Sequence, residues 1–303
     1  MRQPQVALLA DGRRLHLQDG PIDLVIEAFG DRQAVATAYI AAVRDFTGLL
    51  DELVAELPLL RAQAHAAGTE LTGVIARRMH AAVAPFSEEC FITPMAAVAG
   101  AVADEILRAM QQAAPLARAY ANNGGDIALH LQGTESFVLG LVDRPDRPSL
   151  FARAQIAAQD PSRGIATSGW RGRSFSLGIA DAVTILAATA AEADAAATIV
   201  ANAVDLPGHP AIERAPAAAI APDSDLGDRL VTRAVGSLTP AEVEQALARG
   251  LARASALRYR GLIHAAAIRL QGESRLFVPD EPAALHCLPA PLPTQNGSVS
   301  AHV

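Results

Sequence analysis

Apolar and polar positions follow two different rhythms along this chain. Residues 4–29 are short apolar runs broken by turns, and "QVALLADGRRLHL" sets an Asp-Gly dipeptide between two of them, which predicts a hairpin. The period then changes. Val35, Tyr39, Val43, Phe46, Leu50, Leu53 and Leu57 recur every three or four residues, the stripe of one long amphipathic helix. Asp31 is its expected N-cap, and Pro58 is expected to end or kink it.

A second helix is predicted over "TPMAAVAGAVADEILRAM" (93–110), with Thr93 as cap and Pro94 in the first turn. Its small residues Ala96, Ala97, Ala99, Gly100, Ala101 and Ala103 imply close packing against another backbone, inside the fold or at an interface. "ARAYANN", "DIALHLQ" and "SFVLGLVD" read as strands, and residues 143–149 as a polar, proline-broken loop. Residues 164–188 hold a glycine/serine loop and the strand "DAVTILAA". A helix over "ADAAATIVAN" (193–202) follows, with Asp194, Thr198 and Asn202 four apart on one face. Residues 206–227 read as irregular, proline-rich surface. The helix at 239–257 has an explicit start, a Thr239–Glu242 capping box with Pro240 at the first position. "RYRGLIHAAAIRLQG" (258–272) reads as a long strand, and residues 289–303 as a disordered tail. The expected fold is α+β, a largely antiparallel sheet with helices packed on one face, in a single domain over residues 1–288.

Composition narrows the function. Hydrophobic residues make up 51% of 303, enough for a large core, but aromatics are only 4%, so that core must be aliphatic and alanine-rich. No run approaches the roughly 18 apolar residues of a membrane span, and the N-terminal stretch lacks a signal-peptide core. A cytoplasmic protein without membrane contact is expected. The net charge of −7 and dispersed arginines argue against nucleic acid as a partner. Cys90 and Cys287 form no CxxC pair, so neither a thiolate zinc site nor a disulfide framework is expected, and Cys90 reads as a buried, inert thiol. All 25 basic residues are arginine. Without lysine there is no Schiff-base chemistry and no phosphate-loop lysine, which excludes pyridoxal enzymes and Walker-type hydrolases. The eight histidines show no metal-ligand spacing.

Three stretches could carry chemistry. In "NNGGDI" (122–127), Gly124 and Gly125 permit positive φ or close approach of a ligand, flanked by Asn123 and Asp126. An ordinary hairpin turn is the alternative. In "ATSGWRGRSFSLG" (166–178), Thr167, Ser168, Gly169, Arg171, Arg173 and Ser174 offer hydroxyls, backbone N–H groups and guanidinium forks to an anion such as phosphate. A solvated loop is the alternative, and Trp170 would stack on a flat ring or anchor the loop. Asp194 and Thr198 place two hard oxygens one turn apart, which suits Mg²⁺. The alternative is an aspartate favoured by the helix dipole and a threonine bonding back to the carbonyl of residue 194. Asp181, beside an apolar strand, is the remaining candidate for a general base or second metal ligand, against an ordinary strand-start aspartate.

These stretches, in this order, resemble the ApbE-like superfamily, best known for FAD:protein FMN transferases. The match looks closest to the branch called uncharacterised protein family 0280. It rests on "TPMAAVAGAVADE" (93–105), "NNGGDIAL" (122–129), "IATSGWRGRSFSLGIADAVTILA" (165–187) and "ADAAATIVANAV" (193–204), about a third of the chain. The resemblance implies that Asp194 and Thr198 hold Mg²⁺. It implies that Gly124, Gly125, Asp126, Thr167, Ser168 and Gly169 line a pocket for FAD or FMN. Two departures stand out: Ala99 precedes Gly100 where the transferases carry lysine, and "WRGRSFSLGIAD" replaces their histidine-containing "DPxTG"-like stretch. The implied function is binding of a phosphate-bearing ligand, a flavin or other nucleotide, with Mg²⁺, as a transferase of unknown acceptor. A non-catalytic flavin or pterin module, or a subunit of a larger enzyme, are the alternatives, and a homo-oligomer stays open.

Overall fold

Strand-forming runs from both ends of the chain join one sheet. The computed structural model describes residues 3–66, 70–142 and 150–277, with the backbone of 285–287. The strands are β1 (Gln5–Leu8), β2 (Leu15–Asp19), β3 (Ile22–Phe29), β4 (Arg118–Asn123), β5 (Asp126–Leu131), β6 (Ser136–Val142), β7 (Leu150–Ala157), β8 (Gly164–Ser168), β9 (Ala182–Ala187), β10 (Ile212–Pro216), β11 (Leu230–Val235), β12 (Ala265–Leu270), β13 (Glu273–Phe277) and β14 (Leu285–Cys287). Nine of them form a sheet in the order β1-β2-β3-β4-β5-β8-β9-β12-β13, antiparallel at every pairing. A three-stranded sheet, β14-β7-β6, and the ribbon β10-β11 complete the strands.

The helices are α1 (Arg32–Phe46), α2 (Leu49–Ala55), α3 (Leu57–Leu60), α4 (Val74–Val83), α5 (Val98–Ala113), α6 (Ala190–Ala203), α7 (Ala217–Ile220) and α8 (Pro240–Tyr259). Strand alternation divides the large sheet into two apolar faces. Leu17, Leu24, Ile26, Ala121, Ala166 and Ile185 face the helices, among them Phe46, Met79, Ile106 and Val200. On the other face Leu129, Ile165, Leu186 and Ala267 pack against Phe151, Ala154 and Ile156 of the small sheet. The fold is therefore α+β and antiparallel, with helices on one face, and the small sheet is an additional layer on the other.

Several boundaries differ from the sequence expectation. Asp31 does cap α1, accepting from the Gln33 N–H at 2.8 Å, but the helical stripe breaks at Gly48 (φ 87°) rather than at Pro58. Residues 94–97 form a 3₁₀ turn, α5 begins at Val98, and Thr93 caps nothing; its hydroxyl donates to Asp225 instead. The capping box at Thr239 and Glu242 forms, but α8 runs on to Tyr259 and β12 starts only at Ala265. The alanine-rich end of α8 keeps its helical propensity until Gly261 takes φ 74°. Residues 206–227 contain β10 and α7 and are not wholly irregular. Cys90 is exposed, correcting the reading of a buried thiol: it sits on the turn after Phe86, with its N–H bonded to the Phe86 carbonyl. The expected loop at 143–149 and tail at 289–303 lie outside the described residues. No helix of the described residues is long and apolar enough to cross a membrane.

Helix α6 is the centre of the helical layer. It opens on a capping box, Thr189 with Glu192, and buries alanine on every side. Its neighbours come so close that a methyl group does not fit. A Cβ on Gly100 of α5 would lie 2.2 Å from the Ala190 carbonyl oxygen, and one on Gly164 of β8 would lie 1.9 Å from that of Thr189. Backbone cannot yield as a side-chain tip does. Gly100→Ala is therefore expected to destabilise the protein by about 2 kcal/mol or more through overpacking. Gly12→Ala, at φ 69° with nothing within 4 Å of the added methyl, should cost only about 1 kcal/mol of backbone strain. Chemical denaturation of the two variants checks the ranking; equal losses would contradict it.

Candidate functional site

The close crossing of α5 and α6 is tied by two carboxylates exchanged between the helices. The first turn of any helix leaves N–H groups without intrahelical partners. Asp104, on α5, accepts from the Ala190 and Ala191 N–H groups at the start of α6, both at 3.0 Å. Asp194, on α6, accepts from the Gly100 N–H at 3.0 Å and from that of Ala99, at the start of α5. Each helix thus supplies a cap to the other. Burial pushes the Asp104 carboxyl up to about 6 against the pull of its two N–H donors.

The polar face of α6 carries three residues in three different settings. Asp194 caps α5. Asn202 accepts from the Leu177 N–H at 2.9 Å and from the Ser176 hydroxyl, and so holds the end of the glycine/serine loop. Thr198 lies between them, half-buried, and makes no side-chain hydrogen bond among the described residues; the back-bond to residue 194 does not form.

The β4–β5 hairpin reaches the same place. Gly124 and Gly125 take φ 67° and 113°, a tight two-residue turn that only glycine adopts without strain. Asn123, buried, donates to the Ala99 carbonyl at 3.2 Å, which docks the turn onto the start of α5. Asp126 accepts from the Thr167 N–H at 3.2 Å. Asp126 and Asp194 are within electrostatic reach of each other. Burial raises the Asp126 carboxyl to about 7. Burial also pushes Asp194 well above the usual carboxylate range; the neighbouring Asp126 charge adds to this, and the N–H donors of Gly100 and Ala99 oppose it. Two like charges in a poorly solvated place favour sharing a proton or a cation.

The loop at 166–178 divides its residues between framework and surface. Arg171 pairs with Asp181 at 2.7 Å and stacks on Trp170 at 4.2 Å. Asp181 also accepts from the Trp170 indole at 3.3 Å and from the Gln271 N–H at 2.6 Å. Three donors therefore converge on the aspartate expected as a base, and they give it a loop-anchoring role. Gly169 packs against backbone, since a Cβ there would lie 2.5 Å from the Asp181 carbonyl oxygen. Thr167 bonds Thr184 at 2.8 Å across the strands. Ser168 and Ser174 make no side-chain hydrogen bonds among the described residues. Arg173 is exposed, makes no ion pair among the described residues and donates one hydrogen bond, to the Pro21 carbonyl at 3.4 Å. It lines an open cleft of about 260 Å³ with Asp23, Val25, Asn122, Gly124 and Gly125.

Asn123, Asp126 and Asp194 are thus brought together at the start of α5, while Arg171 and Asp181 are held within the loop. Among the described residues no group of three or more His, Cys, Asp or Glu side chains could hold a metal. The two carboxylates meet here, and Thr198 follows Asp194 by one turn of α6. Sequence reasoning missed Asp104 and Asp23. Asp23 had one available signal, since the alternation in "IDLVIEAF" places it on the face opposite Leu24 and Ile26.

Comparison with known proteins places the chain. The sequence model of a family described as AbpE bacteria matches residues 6–276. A UPF0280 protein of Methanopyrus kandleri is 34% identical over 181 residues, which are 59% of this chain and 69% of that protein. UPF0280 proteins of Methanospirillum hungatei and Methanocaldococcus jannaschii are each 34% identical, over 133 and 115 residues. These alignments span 41% and 37% of this chain and about half the length of those two relatives, 50% and 45%. Among solved structures, a mutant of the flavin transferase ApbE from Vibrio cholerae aligns with 88% of this chain and 97% of its own, at 11% identity and a TM-score of 0.38. On the family match and the Methanopyrus relative, the chain belongs to the family described as AbpE bacteria and is a relative of the UPF0280 proteins.

Proposed function

We propose that the protein binds a phosphate-bearing ligand, a flavin or other nucleotide, together with Mg²⁺ at the start of α5. The observation that carries this reading is the Asp126–Asp194 pair, two carboxylates converging from different elements with raised proton affinity. The donor set fits the ion. Mg²⁺ prefers hard oxygens and keeps several positions for water or phosphate. Asp126, Asp194 and Thr198 supply two carboxylates and a hydroxyl with no other hydrogen-bond partner. Capping does not exhaust Asp194, since a carboxylate has about four acceptor sites. When bound, Mg²⁺ would neutralise ligand phosphates and polarise them. The residues themselves would fix its place, with Asn123 holding the hairpin and Thr167 orienting Asp126. Transfer to an acceptor is the activity proposed for this site.

Proton linkage gives the first test. Asp126 binds a proton up to about 7 when folded but only to its ordinary 3.8 when unfolded. The folded state therefore holds more protons in that window, and stability falls as pH rises through it. Asp104, raised to about 6, acts with the same sign. Without divalent ions the melting temperature should fall between about pH 4 and pH 7. Mg²⁺ should restore it at pH 8 and not at pH 5, where protons compete for the carboxylates. Asp126→Asn should flatten the pH response and remove that of Mg²⁺. A wild-type protein indifferent to Mg²⁺ at pH 8 would defeat the metal reading.

The arginines give the second test. Arg173 is available to a ligand, whereas Arg171 is committed to Asp181 and Trp170. A charge-assisted hydrogen bond contributes about 1.5–3 kcal/mol. Arg173→Ala should thus weaken FMN binding by roughly tenfold or more with an unchanged melting temperature. Arg171→Ala should lower the melting temperature. Calorimetric titration and thermal melts of both variants decide the assignment, and reversed phenotypes would refute it.

A further inference from the structure

The cleft at the tip of the β4–β5 hairpin is lined by opposite charges that do not pair. Asp23 and Arg173 both face it, with no ion pair between them. Asp23 and Asn122 are each held from behind. His16 Nε2 bonds Asp23 Oδ1 at 2.8 Å, which fixes that carboxylate and leaves Oδ2 for another donor. Asn122 Oδ1 already accepts from the Gly125 N–H at 2.9 Å, which leaves its Nδ2 as a donor. The walls of the cleft therefore present one acceptor, Asp23, and two donors, Asn122 and Arg173. Val25 is its apolar side chain, and the two glycines leave bare backbone at its rim.

That pattern discriminates between ligand groups. A phosphate would meet Arg173, but it would also face the like charge of Asp23. An apolar group would strand all three polar side chains. An uncharged group that carries an N–H beside carbonyl oxygens satisfies all three side chains at once. At about 260 Å³ the cleft is smaller than the roughly 300–1,000 Å³ of sites for whole drug-sized ligands, so it takes one ring system and not an entire nucleotide. We infer that this cleft binds the imide edge of a planar heterocycle, its ring N–H donating to Asp23 and its carbonyls accepting from Asn122 and Arg173. The assignment rests on the phosphate-bearing ligand proposed above. A Cβ on Gly125 would meet nothing within 4 Å, so the hairpin tip beside the cleft is open. The ring then lies on one side of the hairpin tip and the phosphate on the other. His16 is a positioning residue, acting through Asp23.

Flavins and uracil nucleotides both carry this edge, and binding measurements separate them. FMN and UMP are titrated into the full chain with Mg²⁺, and whichever binds is compared with its N3-methyl derivative, which lacks the ring N–H. Methylation should weaken binding to the wild type by roughly tenfold or more. Asp23→Ala should weaken the parent ligand by a similar factor and then be indifferent to methylation, as expected when the two changes remove the same contact. Riboflavin, which lacks phosphate, is the separating arm. If N3 discrimination persists while phosphate and Mg²⁺ make no difference, the metal–phosphate reading falls and the ring site stands. If neither FMN nor UMP binds saturably, or the wild type accepts the N3-methyl ligand as tightly as the parent, the ring site is overturned.

Discussion

The structure depends on two helices meeting backbone to backbone. Gly100 of α5 lies where even a methyl group would strike the Ala190 carbonyl, and β8 approaches the same helix start through Gly164. Such contact gains dense packing but brings the N-terminal N–H groups of both helices into a region that water reaches poorly. Unsatisfied, they would each cost about 1–3 kcal/mol. Asp104 and Asp194 satisfy them, each from the opposite helix. The alanine content of α6 and the two carboxylates follow from one constraint.

That constraint also places the candidate site. The cap on α5 must come from α6, so a carboxylate stands beside Ala99 and Gly100. Asn123 docks the glycine hairpin onto the Ala99 carbonyl, and Asp126 arrives with it. The Asp126 charge then adds to the proton affinity of Asp194. A group needed for folding acquires a proton affinity that a cation can exploit, and the fold and the proposed binding function share Asp194. The loop at 166–178 is kept in place independently, through Asp181 on one side and Asn202 on the other.

Local signals were legible in the sequence, and distant ones were not. The Asp31 cap and the capping box at Thr239 depend on residues a few positions apart and form as expected, and the glycine hairpin at 124–125 is the turn that the sequence leaves open as an alternative. Asp194 and Thr198 were visible as a spacing, but the partner that explains Asp194 lies 94 residues away. Asp104 caps a helix 86 residues distant and carries no local mark. Asp181 read as a base because its neighbours in sequence do not reveal that Arg171, Trp170 and Gln271 all donate to it. The Thr189–Glu192 capping box is a local signal of the same kind, and Gly48 rather than Pro58 breaks the stripe through its left-handed conformation. Cys90 was assigned by the average behaviour of cysteine, which an exposed turn overrides.

The central claim is that Asp126 and Asp194 form one site that holds either a proton or a divalent cation. The most direct measurement is carboxyl ¹³C NMR of aspartate-labelled protein across the pH range, with resonances assigned by Asp126→Asn and Asp194→Asn and spectra taken with and without Mg²⁺. The account predicts that without metal the Asp126 carboxyl titrates near 7, that its titration shifts when Asp194 is changed, and that Mg²⁺ keeps both groups ionised well below that pH. Two carboxyls titrating independently near the ordinary value of 3.8, unmoved by Mg²⁺, would contradict it.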